Sequence, residues 1–281
     1  MNELAWLGVA RHGQSAGNVA AQRAEADGAE TVDLPAGGAD VPLTGTGREQ
    51  AAAIGRWIAA LPAGERPHLV VTSPYRRARE TAELAVAAAA ESLSNAESLP
   101  NAESLPNAES RPNAGPLANA ADRAPRLRVD HGLRDREQGA LDLLTSRGLA
   151  VRLPEEAERK HRLGKFHYRP PGGGESWTDM AMRLRVVLDG LREECPGQRV
   201  LLVSHESVIF LFRYIIERLS EEQMLELVRS TTLSNASLSS WCYENGRLRP
   251  EGFNSVEHLR VQGVQLTQQA KVGTPSPSRH T

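Results

Sequence analysis

Leu4–Ala10 is an unbroken run of apolar residues and glycine that stops at Arg11-His12-Gly13 and passes into small and polar residues up to Asn18. Seven such residues without helical periodicity, closed by a glycine, predict a strand buried on both faces that opens into a loop. Arg11 and His12 then sit at the carboxyl end of that strand, where open α/β sheets hold their ligands. Taken alone, an Arg-His-Gly triplet reads first as a solvated loop with a stray histidine, so the weight lies in its recurrence.

Val200–Ser204 is a second buried-strand run and leads directly into His205. Leu69–Val71 is a third, followed by Thr72-Ser73-Pro74 and, one turn later, Arg77. Strands of one parallel sheet point their carboxyl ends the same way, so two histidines and two arginines converge. Two guanidinium forks and two imidazoles around one point suit a phosphoryl group.

Four segments in this order, RHGQSAGN, SPYRRARETA, LRDREQG and VSHES, resemble the histidine phosphatase superfamily, the phosphoglycerate mutase-like proteins. The similarity spans roughly Leu4 to Glu257 around a low-complexity insert. It implies an α/β fold, a three-layer α/β/α sandwich with a mostly parallel central sheet. It also implies phosphoryl transfer through a phosphohistidine on His12, with Arg11, Arg77 and His205 around the phosphoryl oxygens. Asn18 resembles a further polar contact, and Ser15 a weaker one. An acidic residue four positions before Gly139 supplies the leaving-group proton in such proteins, which selects Asp135, with Glu137 as its rival. The expected activity is hydrolysis of a small phosphorylated substrate. A mutase of the phosphoglycerate type and a non-catalytic phosphate-binding module are the alternatives.

Charge and cysteine content bound the rest. Thirty-three Lys and Arg against 35 Asp and Glu give a formal charge of −2, which points to neither nucleic acid nor an anionic membrane as partner. Cys195 and Cys242 stand far apart with no CxxC and no histidine at ligand spacing, which fits a reducing compartment and no structural zinc. No cluster of Asp, Glu and His at metal spacing accompanies the motifs, so no metal and no cofactor are expected. The first apolar run is too short for a signal peptide or a span. The expectation is a soluble, cytoplasmic protein, with a homodimer left open.

Along the chain, residues 19–43 read as loop with at most a frayed helix. Thr46, with Glu49 three residues on, predicts the start of a helix whose stripe is Ile54, Trp57, Ile58 and Leu61. With Leu69–Val71 next, this is a strand–helix–strand unit. Ser73 and Pro74 predict the start of another helix, ending near Ala90. Of the arginines in its first turns, Arg77 fits the family pattern, while Arg76 and Arg79 read as a solvated face. Residues 91–115 are four near-copies of a hexapeptide, with too few apolar groups for a core; they predict a disordered insertion reaching Pro125.

Leu127–Val129 reads as a short strand. Residues 147–169 carry seven Lys and Arg against three Glu, which favours an anionic substrate if they form the lid that the resemblance implies. Glu175-Ser176 opens an amphipathic helix with Met180, Leu184, Val187, Leu188 and Leu191 on one face. Glu206, beside His205, is unfavourable near a phosphate unless it points away or holds that histidine. A helix follows from Ser207 to Arg218, and two strands, Asn235–Glu244 and Arg247–Phe253, flank the turn Asn245-Gly246. Residues 1–259 are thus read as one domain carrying the insertion at 91–125, with a disordered tail over 260–281.

Overall fold

The computed structural model describes residues 3–34, 38–97 and 124–269. Six strands form one sheet: β1 (Trp6–Arg11), β2 (Leu69–Thr72), β3 (Arg126–Val129), β4 (Arg199–Ser204), β5 (Leu238–Glu244) and β6 (Arg247–Ser255). Their order is β3-β2-β4-β1-β5-β6. The first four run parallel, and β5 and β6 turn back antiparallel through Asn245-Gly246. Both turn residues have positive φ, at 50° and 84°, the backbone that a two-residue hairpin needs. The register sets Arg11 beside Ser204 and Thr72 beside Val203. The next residues of the three central strands, His12, His205 and Ser73, therefore emerge side by side at one edge of the sheet.

Helices cover both faces. Alternate residues of β1 and β4 take opposite sides, as the twofold period of a strand requires. Leu7, Val9, Val200 and Leu202 pack with α6 (Trp177–Glu194) and α7 (Glu206–Glu217). Trp6, Ala10, Leu201 and Val203 pack with α2 (Gly45–Ala60) and α3 (Arg76–Glu97). The amphipathic stripe of α6 is buried as its spacing predicts, from Met180 through Leu191. The remaining helices are α1 (Ala16–Ala26), α4 (Ser146–Arg152), α5 (Pro154–His167), α8 (Glu221–Ser230) and α9 (Glu257–Val261). Among the described residues no helix is long and apolar enough to cross a membrane.

Several boundaries differ from expectation, each for a physical reason. Residues 16–26 form a full helix, because Ser15 and Asn18 make a reciprocal capping box. Only Ala24 of α1 is buried, so the helix shows no apolar period. Helix α2 is capped by Thr44, whose hydroxyl accepts from the Gly47 amide, two residues before the expected Thr46. Gly47 lies against the loop after β1: a Cβ there would sit 2.0 Å from the Gln14 carbonyl. Helix α3 begins at Arg76 rather than Pro74, the Ser73 hydroxyl accepting from the Tyr75 amide.

That helix also outruns Ala90 and carries the whole first repeat unit, 91–96, and the first residue of the second, Glu97. Ala82, Ala85, Ala89 and Leu93 continue one buried stripe at helical spacing, and alanine is the strongest helix former. The rest of the repeat lies outside the described residues. Strand β5 starts at Leu238, since Ala236, with φ of 56°, bends the chain just before it. The tail expected to be disordered from residue 260 holds the end of α9 and an ordered run to Gln269, fixed by amide and hydroxyl hydrogen bonds and by Val264 packing on the core. Residues 270–281 lie outside the described residues.

Candidate active site

His12 is buried, and its Nδ1 lies 2.7 Å from the Gly13 carbonyl, which accepts only. Nδ1 therefore carries the proton and Nε2 the lone pair. The Gly13 amide donates to Thr81 Oγ1 at 3.0 Å, tying this loop to α3. Burial pushes the His12 pKa well below the usual 6.5, and Arg77, His205 and Arg11 add to the effect. The ring is thus neutral with Nε2 available.

Arg77 projects from the first turn of α3 into the space between the histidines. Its Nε donates to His12 Nε2 at 3.2 Å, and its Nη2 lies 3.2 Å from His205 Nδ1 and 3.0 Å from Asp135 Oδ2. The Gly38 carbonyl accepts from Nη1 at 2.7 Å. Arg76 turns outward to Glu80 and Asp40, and Arg79 is exposed, as a solvated face requires.

His205 is buried with Nε2 2.8 Å from Ser73 Oγ. Arg77 Nη2 can only donate to Nδ1, so in the resting protein Nδ1 carries the lone pair and Nε2–H donates to the Ser73 hydroxyl. Burial lowers the His205 pKa to about 3 against the opposing pull of Asp135. The two imidazole centroids are 5.3 Å apart.

Asp135 lies at the same point. Its Oδ1 accepts from Ser207 Oγ at 2.6 Å and from the Arg136 amide at 2.9 Å. Burial alone would raise its pKa; His205, Arg77 and these two donors outweigh that and hold it well below the usual carboxylate range. Glu137 turns aside, accepting from the Tyr75 hydroxyl at 3.1 Å and pairing with Arg134.

Arg11 is buried, with Nη1 donating to the Leu233 carbonyl and Nη2 3.3 Å from Glu206 Oε2. Glu206 therefore holds Arg11 and not His205. Ser15 and Asn18 stand across from Arg11 at the start of α1. A cavity of about 250 Å³ is lined by Arg11, His12, Ser15, Asn18, Arg77, Asp135, Glu206 and Gln269. A larger one, about 660 Å³, lies on the α2–α9 side against Trp6, Trp57 and Leu61 and holds none of the predicted site residues.

Several contributors escape a reading of motifs. Ser207, at the start of α7, reads as an ordinary cap yet fixes Asp135, and Ser73 and Thr81, although part of SPYRRARETA, give no sign in the sequence of their partners, His205 and the Gly13 amide. Arg183 sits on the polar side of α6, and Gln269 lies in an unpatterned tail. Glu175 and Arg183 brace the segment that carries Asp135: Arg183 grips Glu175 at 2.8 and 2.9 Å and donates to the carbonyls of Gly132, Arg134 and Asp135. The run of glycines before Glu175 makes a turn with φ of 73° at Gly172 and 89° at Gly173. Lys and Arg of the 147–169 segment are partly spent on local pairs, Arg152 with Glu30 and Arg159 with Glu156.

Paired histidines and arginines at the carboxyl ends of parallel strands define a phosphoryl-binding class of α/β protein. The model of the histidine phosphatase superfamily (branch 1) matches residues 7–101 and 113–256, and the chain belongs to that family. It is 29% identical over 225 residues to a 2,3-bisphosphoglycerate-dependent phosphoglycerate mutase 2 from Gloeobacter violaceus, covering 79% of this chain and 80% of that one. A putative alpha-ribazole-5'-P phosphatase from Escherichia coli superposes with a TM-score of 0.62 at 20% identity, over 90% of this chain and 97% of that one. A mycobacterial glucosyl-3-phosphoglycerate phosphatase, in complex with VO3, gives 0.60 at 23% identity, over 89% and 99%. These two likenesses establish the fold.

Proposed function

We propose that this protein is a phosphomonoester hydrolase that works through a phosphohistidine on His12 and needs no metal. The observation that carries the reading is the state of His12: a buried neutral imidazole, its tautomer fixed by the Gly13 carbonyl, its Nε2 facing the cavity arginines. Nε2 attacks phosphorus in line and the bond from phosphorus to the leaving oxygen breaks. Arg11, Arg77 and His205 hold the equatorial oxygens as charge spreads over them, with Asn18, and more weakly Ser15, at the rim. Asp135 delivers a proton to the leaving alkoxide, then takes one from the water that cleaves the phosphorus–nitrogen bond.

The Gloeobacter relative raises a second reading, return of the phosphoryl group to another hydroxyl. A cavity of about 460 Å³ adjoins the site through Gly38, Arg77 and Asp135. Its outer wall carries Asp40, Glu137 and Asp142 against Arg136. Arg136 is already engaged, donating to the Tyr168 and Glu175 carbonyls, and the acids outnumber it, which disfavours seating the carboxylate and second phosphate of a bisphosphoglycerate and supports the hydrolase.

Brief incubation with a labelled phosphomonoester and quenching in base tests the reading. An acid-labile, base-stable phosphoenzyme is expected, absent in His12→Ala, with turnover insensitive to EDTA. Label persisting in His12→Ala, or activity lost to the chelator, defeats the mechanism. Formation of 2-phosphoglycerate from 3-phosphoglycerate primed with bisphosphoglycerate would favour the mutase.

A further inference from the structure

The last described residues reach the phosphoryl site. Gln50, fully buried in α2, accepts from the Gln14 amide through Oε1 and donates through Nε2 to the Gln265 carbonyl at 2.8 Å and to Thr267 Oγ1 at 3.0 Å. Thr267 Oγ1 in turn donates to Asn235 Oδ1 at 3.0 Å, and the Asn235 amide donates to the Thr267 carbonyl at 2.9 Å. Gln268 Nε2 donates to Ser234 Oγ at 2.9 Å. Residues 265–268 are thereby strapped to the loop beside His12, which leaves Gln269 over the cavity.

The orientation of two amides follows from their neighbours. Asn18 Oδ1 accepts from the Ser15 amide and hydroxyl and from Asn235 Nδ2, so Asn18 Nδ2 must face the other way. It donates to Gln269 Oε1 at 3.0 Å, and Arg11 Nη2 approaches the same oxygen at 3.4 Å. One acceptor oxygen thus bridges the arginine and the asparagine assigned above to the phosphoryl group.

We infer that Gln269 Oε1 occupies the place of a phosphoryl oxygen, and that residues 265–269 are a built-in competitor which the phosphoryl group must displace. The inference rests on the reading of Arg11 and Asn18 as phosphoryl ligands. Because the competition is for the phosphoryl group, it weakens binding of every phosphomonoester by one common factor, whatever the leaving group. The neutral bond from Asn18 and the long 3.4 Å approach of Arg11 together contribute about as much as one ordinary hydrogen bond, so the factor is about 3–10-fold.

The test is equilibrium binding of orthophosphate to the full chain, with KM for p-nitrophenyl phosphate and glycerol phosphate measured alongside. In Gln269→Ala the orthophosphate Kd and both KM values should fall together by about 3–10-fold. Thr267→Val, which loosens the strap at a distance from the cavity, should shift them the same way by less. Gln269→Glu places a carboxylate on Arg11 and should weaken binding instead. A Kd that is unchanged or raised in Gln269→Ala overturns the inference alone. Failure of all four proteins to bind orthophosphate overturns the phosphoryl-site reading and this inference with it.

Discussion

Arg77 Nε donates to His12 Nε2 at 3.2 Å, so the atom proposed to attack phosphorus is covered by a cation in the resting protein. The same guanidinium reaches His205 and Asp135 through Nη2. One side chain therefore keeps the nucleophile unprotonated and stands ready to receive charge from the phosphoryl oxygens.

That double role separates in mutants. Arg77→Ala should lower kcat/KM by about 10²–10³-fold, the loss typical of one preorganised donor to a developing charge. It also removes the leading charge that depresses His12, after burial itself. The acid limb of the pH–rate profile, which reports protonation of His12, should then move upward. Arg77→Lys retains the charge and should leave the limb in place while recovering little of the rate, because an ammonium lacks the fork. An unmoved limb in Arg77→Ala would show that burial alone sets the state of His12.

The strand-end residues were legible because a buried parallel strand is a continuous apolar run, and its end is marked by the first polar residue. Arg11, His12, His205 and Arg77 were found that way, and the register of three strands brings them together. Helix α1 and the strap at 265–269 were not, since each is held by side-chain amides and hydroxyls with almost no apolar period. The end of α3 was hidden for the opposite reason. The hexapeptide period overlies and masks the alanine stripe that runs into it. Arg183 belongs to α6, and its five-bond span across the acidic segment depends on a fold that brings residues 132–135 to residue 183.

That span yields a prediction about positioning. Arg183 and Glu175 are largely buried and meet in a fork. Removing one partner of such a pair costs about 3–5 kcal/mol, so Arg183→Met should lower the melting temperature markedly. Arg183→Lys keeps the charge and loses the grip on the carbonyls of Arg134 and Asp135. Its kcat on an alkyl phosphate should fall about 10-fold or more, with a much smaller loss on p-nitrophenyl phosphate, whose leaving group needs no proton. Equal losses on both esters would assign Arg183 to the fold alone.

Buried neutral histidines make stability depend on pH in the mildly acidic range. The His205 pKa is lowered to about 3, burial lowers that of His258 to about 4, and His12 is also pushed down. Below the unfolded-state pKa of about 6.5 the unfolded chain binds more protons than the folded one. The stabilisation is therefore complete above about pH 6.5 and falls as pH drops toward the folded-state values. His205 and His258 should each cost about 1.6 kcal/mol between pH 6.5 and 5, and His12 adds in the same direction. Urea unfolding at the two pH values measures the sum. A correctly folded His258→Gln should reduce the pH dependence by one histidine's share, and an unchanged slope would show that His258 does not titrate in this way.

Asp135 poses the sharpest chemical question, because it is ionised where a proton donor is wanted. Arg77, His205, Ser207 and the Arg136 amide all favour its anion. The resting enzyme therefore has no proton there to give. A phosphomonoester monoanion brings one: ionised Asp135 with a monoanion holds as many protons as neutral Asp135 with a dianion. A dianion that draws Arg77 onto its own oxygens also removes what kept Asp135 ionised. The prediction is that kcat/KM for an alkyl phosphate follows the monoanion and falls above about pH 6, the second pKa of a phosphomonoester. Asp135→Asn should cost about 10²–10⁴-fold on that substrate and abolish this dependence, with far less effect on p-nitrophenyl phosphate. Glu137 bonds Tyr75 and pairs with Arg134 away from His12, so Glu137→Gln should leave the leaving-group dependence as it was. A leaving-group-dependent loss in Glu137→Gln but not in Asp135→Asn would transfer the role to Glu137.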